Sequence, residues 1–309
     1  MIGDCNPDVL VLGDDVTPAF GQQEKLVDGI LLVIGGSGAI TAVAAPRLGL
    51  RVALVAAVGD DPAGEFMLGQ LAGEGVDTGP VLVRRDAPTG MTVALSAGRD
   101  RAILTAAGAV ATLTARDVPA ALLLRARHVH VSSCFLVERS LGPGLAAVLD
   151  AARANGARTS LDTNWDPAER WGEGSLRDAL RRTDLLLPNE AEALRLSGAA
   201  TLTEAVAVLT AAGPGPVVKL GARGALWAEG PRRYRAAPPP VTPADTTGAG
   251  DCFNAGVIAG LLDGLDLPGA VALGCAVGAA STLAPGGTAG CPDLPAARAL
   301  ARRVTIQPA

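Results

Sequence analysis

At 309 residues, 49% hydrophobic and 18% charged, the chain can fill a sizeable core as one large domain or two ordinary ones. A formal net charge of −5 argues against a nucleic-acid surface, since the only Arg clusters are isolated pairs such as Arg181-Arg182 and Arg302-Arg303. Five cysteines (Cys5, Cys134, Cys252, Cys275, Cys291) show no CxxC or zinc spacing and read as reduced core thiols of a cytoplasmic protein. The opening MIGDCNPDVL has no signal-peptide pattern. The longest uncharged stretch, Leu267 to Pro292, is broken by Pro285-Gly286-Gly287 and reads as buried helix plus loop, not as a membrane span.

In chain order, Asp8 to Leu12 is a short apolar run closing at Gly13, the pattern of a buried parallel strand. Lys25 to Ile34 reads as a second extended piece. Gly35-Gly36-Ser37-Gly38 then leads into a small-residue helix, Ala39 to Leu48. Only Gly36 and Gly38 fit a dinucleotide GxGxxG, because Thr41 holds the third glycine position, so NAD binding is the weaker reading. A strand over Arg51–Val58 and a helix over Ala63–Glu74 come next. From Val81 to Thr105 the pattern turns to period two around an AGRD turn, a hairpin. With the extended piece near 20–34 it suggests a small sheet projecting from the main body.

Beyond it, strands are expected at 128–131, 158–162, 184–187, 215–220 and 225–228. Helices are expected at 141–155, 175–182, 190–197, 202–212, 248–262, 269–283 and 294–303. That alternation gives a parallel sheet covered on both faces, with ligands at the strand C-terminal ends. His128 and His130 share one strand face and read as satisfied strand histidines.

The stretch richest in chemistry is DTTGAGDCFNAGVIAG, Asp245 to Gly260. A Pro-rich lead-in holds the backbone extended, and Gly248-Ala249-Gly250 turns into a small-residue helix with Asp251 in its first turn. Free amides at such a helix start favour a phosphate or a developing oxyanion, and a carboxylate beside them suits a general base. A bare GAGD is more readily an acidic first turn placed for dipole reasons, and it is the flanking residues that shift the balance. Likewise PNEAE (188–192) alone is a capped helix, with Asn189 as N-cap and Glu192 as its partner.

Taken together, the ordered motifs resemble the ribokinase-like (PfkB) carbohydrate kinases over essentially the whole chain. The match rests on Gly35-Gly36 with its helix, LGLRVALVAAVGDDPAGEF (48–66), GVDT (75–78) and PTG (88–90). It continues through DTNWDP (162–167), PNEAE, VVKLGARGA (217–225) and DTTGAGD. The resemblance implies an α/β fold, a three-layer α/β/α domain over 1–309 with a mostly parallel central sheet and a small β-sheet lid from segments 14–34 and 84–107. It implies an ATP- and Mg2+-dependent kinase acting on an alcohol. Asp251 would be the base, and Gly248, Ala249 and Gly250 the anion hole. Asn189 and Glu192 would organise Mg2+ through water, with Asn189, Lys219, Gly221, Gly224 and Cys275 on the ATP side; for Cys275 a core thiol is at least as good a reading. Asp245 and Thr247, with carbonyls near Ser281, Gly286 and Gly290, resemble the K+ loop of part of the family. Gly290 lacks a side-chain oxygen there, which leaves K+ conditional.

The substrate end departs from the pattern. Counting from Gly35, the family's GGxxxN asparagine falls on Ile40; counting from Gly13, its GxxxxD aspartate falls on Pro18. Asp14, Gly35, Gly36 and Ile40 are then the substrate-side residues, with Asp14 a stand-in or the pocket less polar. The acceptor is expected to be a sugar, polyol or nucleoside, with no nucleic-acid or membrane partner and a homodimer formed through the lid. The rival outside enzymes is a sensor that keeps the fold and lacks turnover.

Overall fold

Strand residues of the second half alternate between two apolar cores, and that alternation sets the architecture. Leu186, Val218 and Leu226 join one core with Leu145, Leu149, Leu176 and Leu209. Their chain neighbours Leu185, Leu187, Val217 and Trp227 join another with Phe253, Val257 and Val271. Successive strand side chains point to opposite faces, so continuous apolar strands require cover on both. Helices Gly142–Ala154, Ser175–Leu180 and Leu202–Ala212 supply the first face, and Ala249–Leu262 and Leu267–Ser281 the second.

A computed structural model describes every residue except 98, 99 and 173. Its strands are β1 (Asn6–Leu12), β2 (Gly29–Gly35), β3 (Ala57–Gly59), β4 (Leu82–Arg84), β5 (Met91–Ala97), β6 (Asp100–Ala106), β7 (His128–Val131), β8 (Arg158–Leu161), β9 (Leu185–Leu186), β10 (Gly215–Lys219), β11 (Ala225–Glu229), β12 (Arg232–Ala237) and β13 (Thr305–Pro308). The central sheet runs β13-β12-β11-β10-β9-β8-β7. β7 to β10 are parallel, and single parallel bridges extend them through Ile2–Val131, Ile2–Val55 and Ala53–Asp77. β11, β12 and β13 add an antiparallel edge.

β1, β2, β5 and β6 form a second sheet in the order β2-β1-β5-β6. Here the expectation for Asp8–Leu12 is corrected: β1 lies in this sheet, antiparallel to β2 and parallel to β5, and is only half-buried. The segment that enters the central sheet is Met1–Gly3, bridged at Ile2, too short to register as an apolar run. The strand expected over 51–58 shrinks to β3 plus bridges, and Leu82–Arg84 pairs with β3 instead of joining the hairpin. The expected AGRD turn centres on residues 98 and 99, outside the described residues. All five cysteines are buried and unbridged, and among the described residues no helix is long and apolar enough to cross a membrane.

Candidate active site

The Ala249–Leu262 helix starts on Gly248, held in the left-handed region at φ 67°, with no side chain capping its amides. A Cβ at Gly248 would stand 2.6 Å from Gly287 Cα, so only glycine fits this turn. Ala249 N–H closes the turn onto Thr246 O at 3.3 Å, which leaves the amides of Gly250 and Asp251 at the open end of the helix. Of the three residues expected to form an anion hole, Gly248 sets the turn, Ala249 N–H is engaged in it, and Gly250 N–H lies at the helix opening.

Asp251 is buried in this first turn. Burial, followed by the neighbouring Asp162, pushes its carboxyl well above the ordinary range. The Lys219 ammonium and a hydrogen bond from Ser37 pull it back in part, and Asp4 adds to the rise. Asp4 is itself buried and accepts from Gly38 N at 2.8 Å. Asn164 donates to Ser37 Oγ at 2.7 Å and to Ser133 Oγ at 2.8 Å. Asn164 and Ser133 both sit in the left-handed region, at φ 56° and 54°, a strained pairing of the kind that collects at working sites. The arrangement can take a proton from a hydroxyl and hold negative charge at adjacent amides.

Asn189 and Glu192 make the full capping box. Asn189 N donates to Glu192 Oε2 at 2.8 Å, Asn189 Nδ2 to Oε1 at 2.6 Å, and Glu192 N to Asn189 Oδ1 at 2.9 Å. Burial and then Asp162 lift Glu192 to about 7, against the opposing pull of Lys219. The folded protein therefore keeps this proton to about pH 7 while the unfolded chain releases it near 4.5. The folded state binds more protons between those values, so stability falls as pH rises through that window. Glu192→Gln preserves the capping box and is expected to flatten the fall in melts of the metal-free protein across that range. An unchanged slope would show that other groups set it.

Lys219 ends β10 with its backbone on Pro188 O and its ammonium on Asp162 Oδ2 at 2.6 Å. Burial alone would lower it, but the carboxylates of Asp162, Glu192 and Asp251 outweigh that and hold it above the usual lysine range. Gly221 and Gly224 form the turn into β11. Gly224 is obligatory there, because a Cβ would fall 1.8 Å from Ala236 O, whereas Gly221 faces open space. Cys275 lies in the core with Trp227 and Val271, its thiol pushed up to about 12 by burial. Asp245 ties two loops together: Oδ1 accepts from Thr247 N and Oγ1, and Oδ2 from Gly286 N at 2.9 Å. Gly290 packs against Ser281 O, so the residues of the expected cation loop are brought together.

The substrate end needs the largest correction. With Met1–Gly3 as the first central strand, the GxxxxD count starts at Gly3 and ends on Asp8, not on Pro18. Asp8 and Asn6 are buried, and Asn6 Nδ2 reaches Asp8 Oδ1 and Thr92 Oγ1, each at 3.2 Å. Gly35 and Gly36 make room for them, since a Cβ on Gly35 would stand 1.9 Å from Asp8 Oδ1 and one on Gly36 3.0 Å from Asn6 Oδ1. Asp14 is exposed beyond β1. Ile40 is 3% exposed and wedged against Gly248 and Gly287, a packing residue. Ser160 Oγ partners one ring nitrogen of each histidine, at 2.7 Å from His128 Nε2 and from His130 Nδ1, so the expectation of satisfied histidines holds only in part. Their other ring nitrogens, His128 Nδ1 and His130 Nε2, have no partner among the described residues.

The pfkB family carbohydrate kinase model matches residues 2–294. The chain is 30% identical to the ribokinase of Haemophilus influenzae over 304 residues, covering 94% of each. It is 31% identical over 286 residues to the 2-dehydro-3-deoxygluconokinase of Bacillus subtilis, covering 84% of this chain and 83% of that one. A candidate ribokinase II from E. coli, solved in complex with ATP and Mg2+, superposes with a TM-score of 0.85 at 26% identity over 98% of both chains. The fold is that of ribokinase, and the chain belongs to the pfkB family of carbohydrate kinases, ATP-dependent phosphotransferases with an alcohol acceptor.

Proposed function

We propose that this chain transfers the γ-phosphoryl group of ATP to a hydroxyl, of hydroxymethyl type, on a sugar or sugar-like small molecule, with Asp251 as the base. The observation that carries the reading is a buried Asp251 in the first turn of an uncapped helix, next to open amides and one ammonium. Phosphoryl transfer demands little covalent chemistry from the protein, so a base, an N–H cradle and compensating charge suffice. Asp251 accepts the hydroxyl proton, and the Gly250 and Asp251 amides receive the charge gathering on the phosphoryl oxygens. Asn6 and Asp8, aligned over Gly35 and Gly36, supply the polar grip on the acceptor that a sugar site requires.

The residues fit Mg2+ as well. Glu192, Asp162 and Asp251 all act electrostatically on one lysine, an acid excess that attracts a hydrated cation, while among the described residues no three such side chains converge to ligate a metal directly. When bound, the ion neutralises phosphate charge; Asn189 and Glu192 are the residues that would hold its waters.

The test is ATP turnover with Mg2+ against a panel of pentoses, hexoses, polyols and nucleosides, with and without K+. Turnover of a sugar is expected. A response confined to nucleosides would move the acceptor to that class, and ATP binding with a silent panel would favour a sensor.

A second copy of the chain is proposed to cover the four-stranded sheet. On one face Leu32, Val9, Val93 and Leu104 stand in register, with Leu32 51%, Leu104 64% and neighbouring Ile30 63% exposed. Contiguous aliphatic surface of this kind marks an interface. Light scattering is expected to give twice 30.9 kDa for the native chain and a single copy for Leu32→Lys. A native monomer would remove the proposal.

A further inference from the structure

A closed ring of three hydrogen bonds lies beneath the opening of the Ala249–Leu262 helix. Asp162 Oδ2, at the end of β8, accepts from Lys219 Nζ at 2.6 Å and from Asn254 Nδ2, and Lys219 Nζ reaches Asn254 Oδ1 at 3.4 Å. Asp162 and Asn254 are fully buried, while the Lys219 side chain is 13% exposed. A Cβ placed on Gly250 would stand 3.4 Å from Lys219 Nζ. The ammonium thus lies within ordinary contact distance of the first helical turn.

Stability alone accounts poorly for this ring. Burying an ion pair costs several kcal/mol of desolvation per ion, and apolar residues of similar volume often serve a fold as well or better. An ammonium has three N–H donors, and Asp162 and Asn254 engage two of them. The full positive charge stands beside amides that already carry the partial positive end of the helix dipole, where phosphoryl transfer gathers negative charge. A fixed lysine is worth more there than a mobile one, because its reorganisation is complete before the reaction.

We propose that Lys219 is a further catalytic residue, its ammonium meeting the transferred phosphoryl group beside the Gly250 and Asp251 amides, with Asp162 and Asn254 as positioning residues that act through it. This rests on the reading of the site as a phosphoryl-transfer centre built around Asp251, and it goes further than a general place for Lys219 on the nucleotide side.

The test separates the transferring state from bound ATP. Calorimetry measures the affinity of Lys219→Ala for Mg2+-ATP and for Mg2+-ADP with aluminium fluoride, a mimic of the phosphoryl group in flight. Affinity for the mimic is expected to drop at least about tenfold while ATP affinity moves by less than about threefold, the signature of an interaction made chiefly in the transition state. With the best acceptor of the panel, kcat is expected to fall about a hundredfold and to recover in part on adding methylammonium or ethylammonium. Asn254→Leu, close in volume, is expected to show a weaker version of the same split.

Equal loss of ATP and mimic affinity would make Lys219 a nucleotide-binding residue only and overturn the proposal. So would unchanged kcat, or a loss that no amine rescues. If Lys219→Ala fails to fold, Lys219→Met carries the affinity test, and retained affinity for the mimic in that variant overturns the proposal equally. Asp251→Asn keeps the two ideas apart. An inactive Asp251→Asn with a normal Lys219→Ala removes the lysine's role alone, whereas an active Asp251→Asn removes the reading beneath it.

Discussion

Asp251→Asn is expected to lower kcat by about 10² to 10⁴, the usual contribution of a positioned proton acceptor, while ATP affinity stays close to that of the native chain. The change is isosteric and removes only the ability to take a proton. It should be benign for the fold, because burial and the facing Asp162 already disfavour charge at this position. Charged groups around it come from several elements: Asp162 after β8, Lys219 of β10 and Asp4 after the first central strand. Removing one carboxylate from that acid-rich set relieves repulsion, so the variant's melting temperature is expected to equal or exceed the native value. A coupled ADP-release assay with a parallel thermal melt reads both quantities. Full turnover in the variant would place the base elsewhere and undo the assignment.

The second large effect is expected from Gly248→Ala. Its backbone is left-handed, at φ 67°, where an L side chain costs roughly 1–2 kcal/mol. The added Cβ would also stand 2.6 Å from Gly287 Cα and 2.8 Å from Gly287 O, backbone atoms that cannot swing aside. The helix opening or the 286–287 loop must shift, and with it the Gly250 and Asp251 amides. Loss of one such donor costs about 10² to 10³ in kcat. Gly264→Ala is the matched control, since that residue is also left-handed, at φ 88°, with no atom within 4 Å of the new Cβ. It should lose comparable backbone stability and keep full turnover. Equal activity in both variants would show that the Gly248 turn does not set the amides.

Much of the second half was legible from periodicity. Helices at 190–197 and 202–212 and the start of the helix after Gly248 follow from caps and glycines whose effects are local. The substrate end was not, because its decisive strand is three residues long. Met1–Gly3 gains its place by bridging Val55 and Val131, contacts remote in sequence. An apolar-run criterion passes over it and fixes on DVLVL instead, shifting the aspartate count from Asp8 to Pro18. A glycine-anchored count from Gly3 would have found Asp8. Asp162, Asn164 and Asn254 were hidden for another reason: each is a polar residue whose meaning lies in a partner tens of positions away. β12 and β13 also escaped, since an arginine-rich strand and a four-residue exposed one both lack the apolar run by which buried strands are recognised.

Two strands of the four-stranded sheet are direct continuations of the body. Residues 1–3 belong to the central sheet and β1 begins at Asn6, while β2 ends at Gly35, one residue before the N-cap of the Ser37–Arg47 helix. Of the four places where the chain passes between the small sheet and the body, two, Gly3–Asn6 and Gly35–Ser37, therefore lie side by side at the Asn6–Gly35 pair. Asp4 and Ser37, which touch the electrostatics of Asp251, sit inside those crossings, and Asn6 and Asp8 lie just outside them. These two crossings and the Asp251 carboxyl thus share the same few residues. A molecule held at Asn6 and Asp8 would sit within a few residues of the groups that set the proton affinity of Asp251.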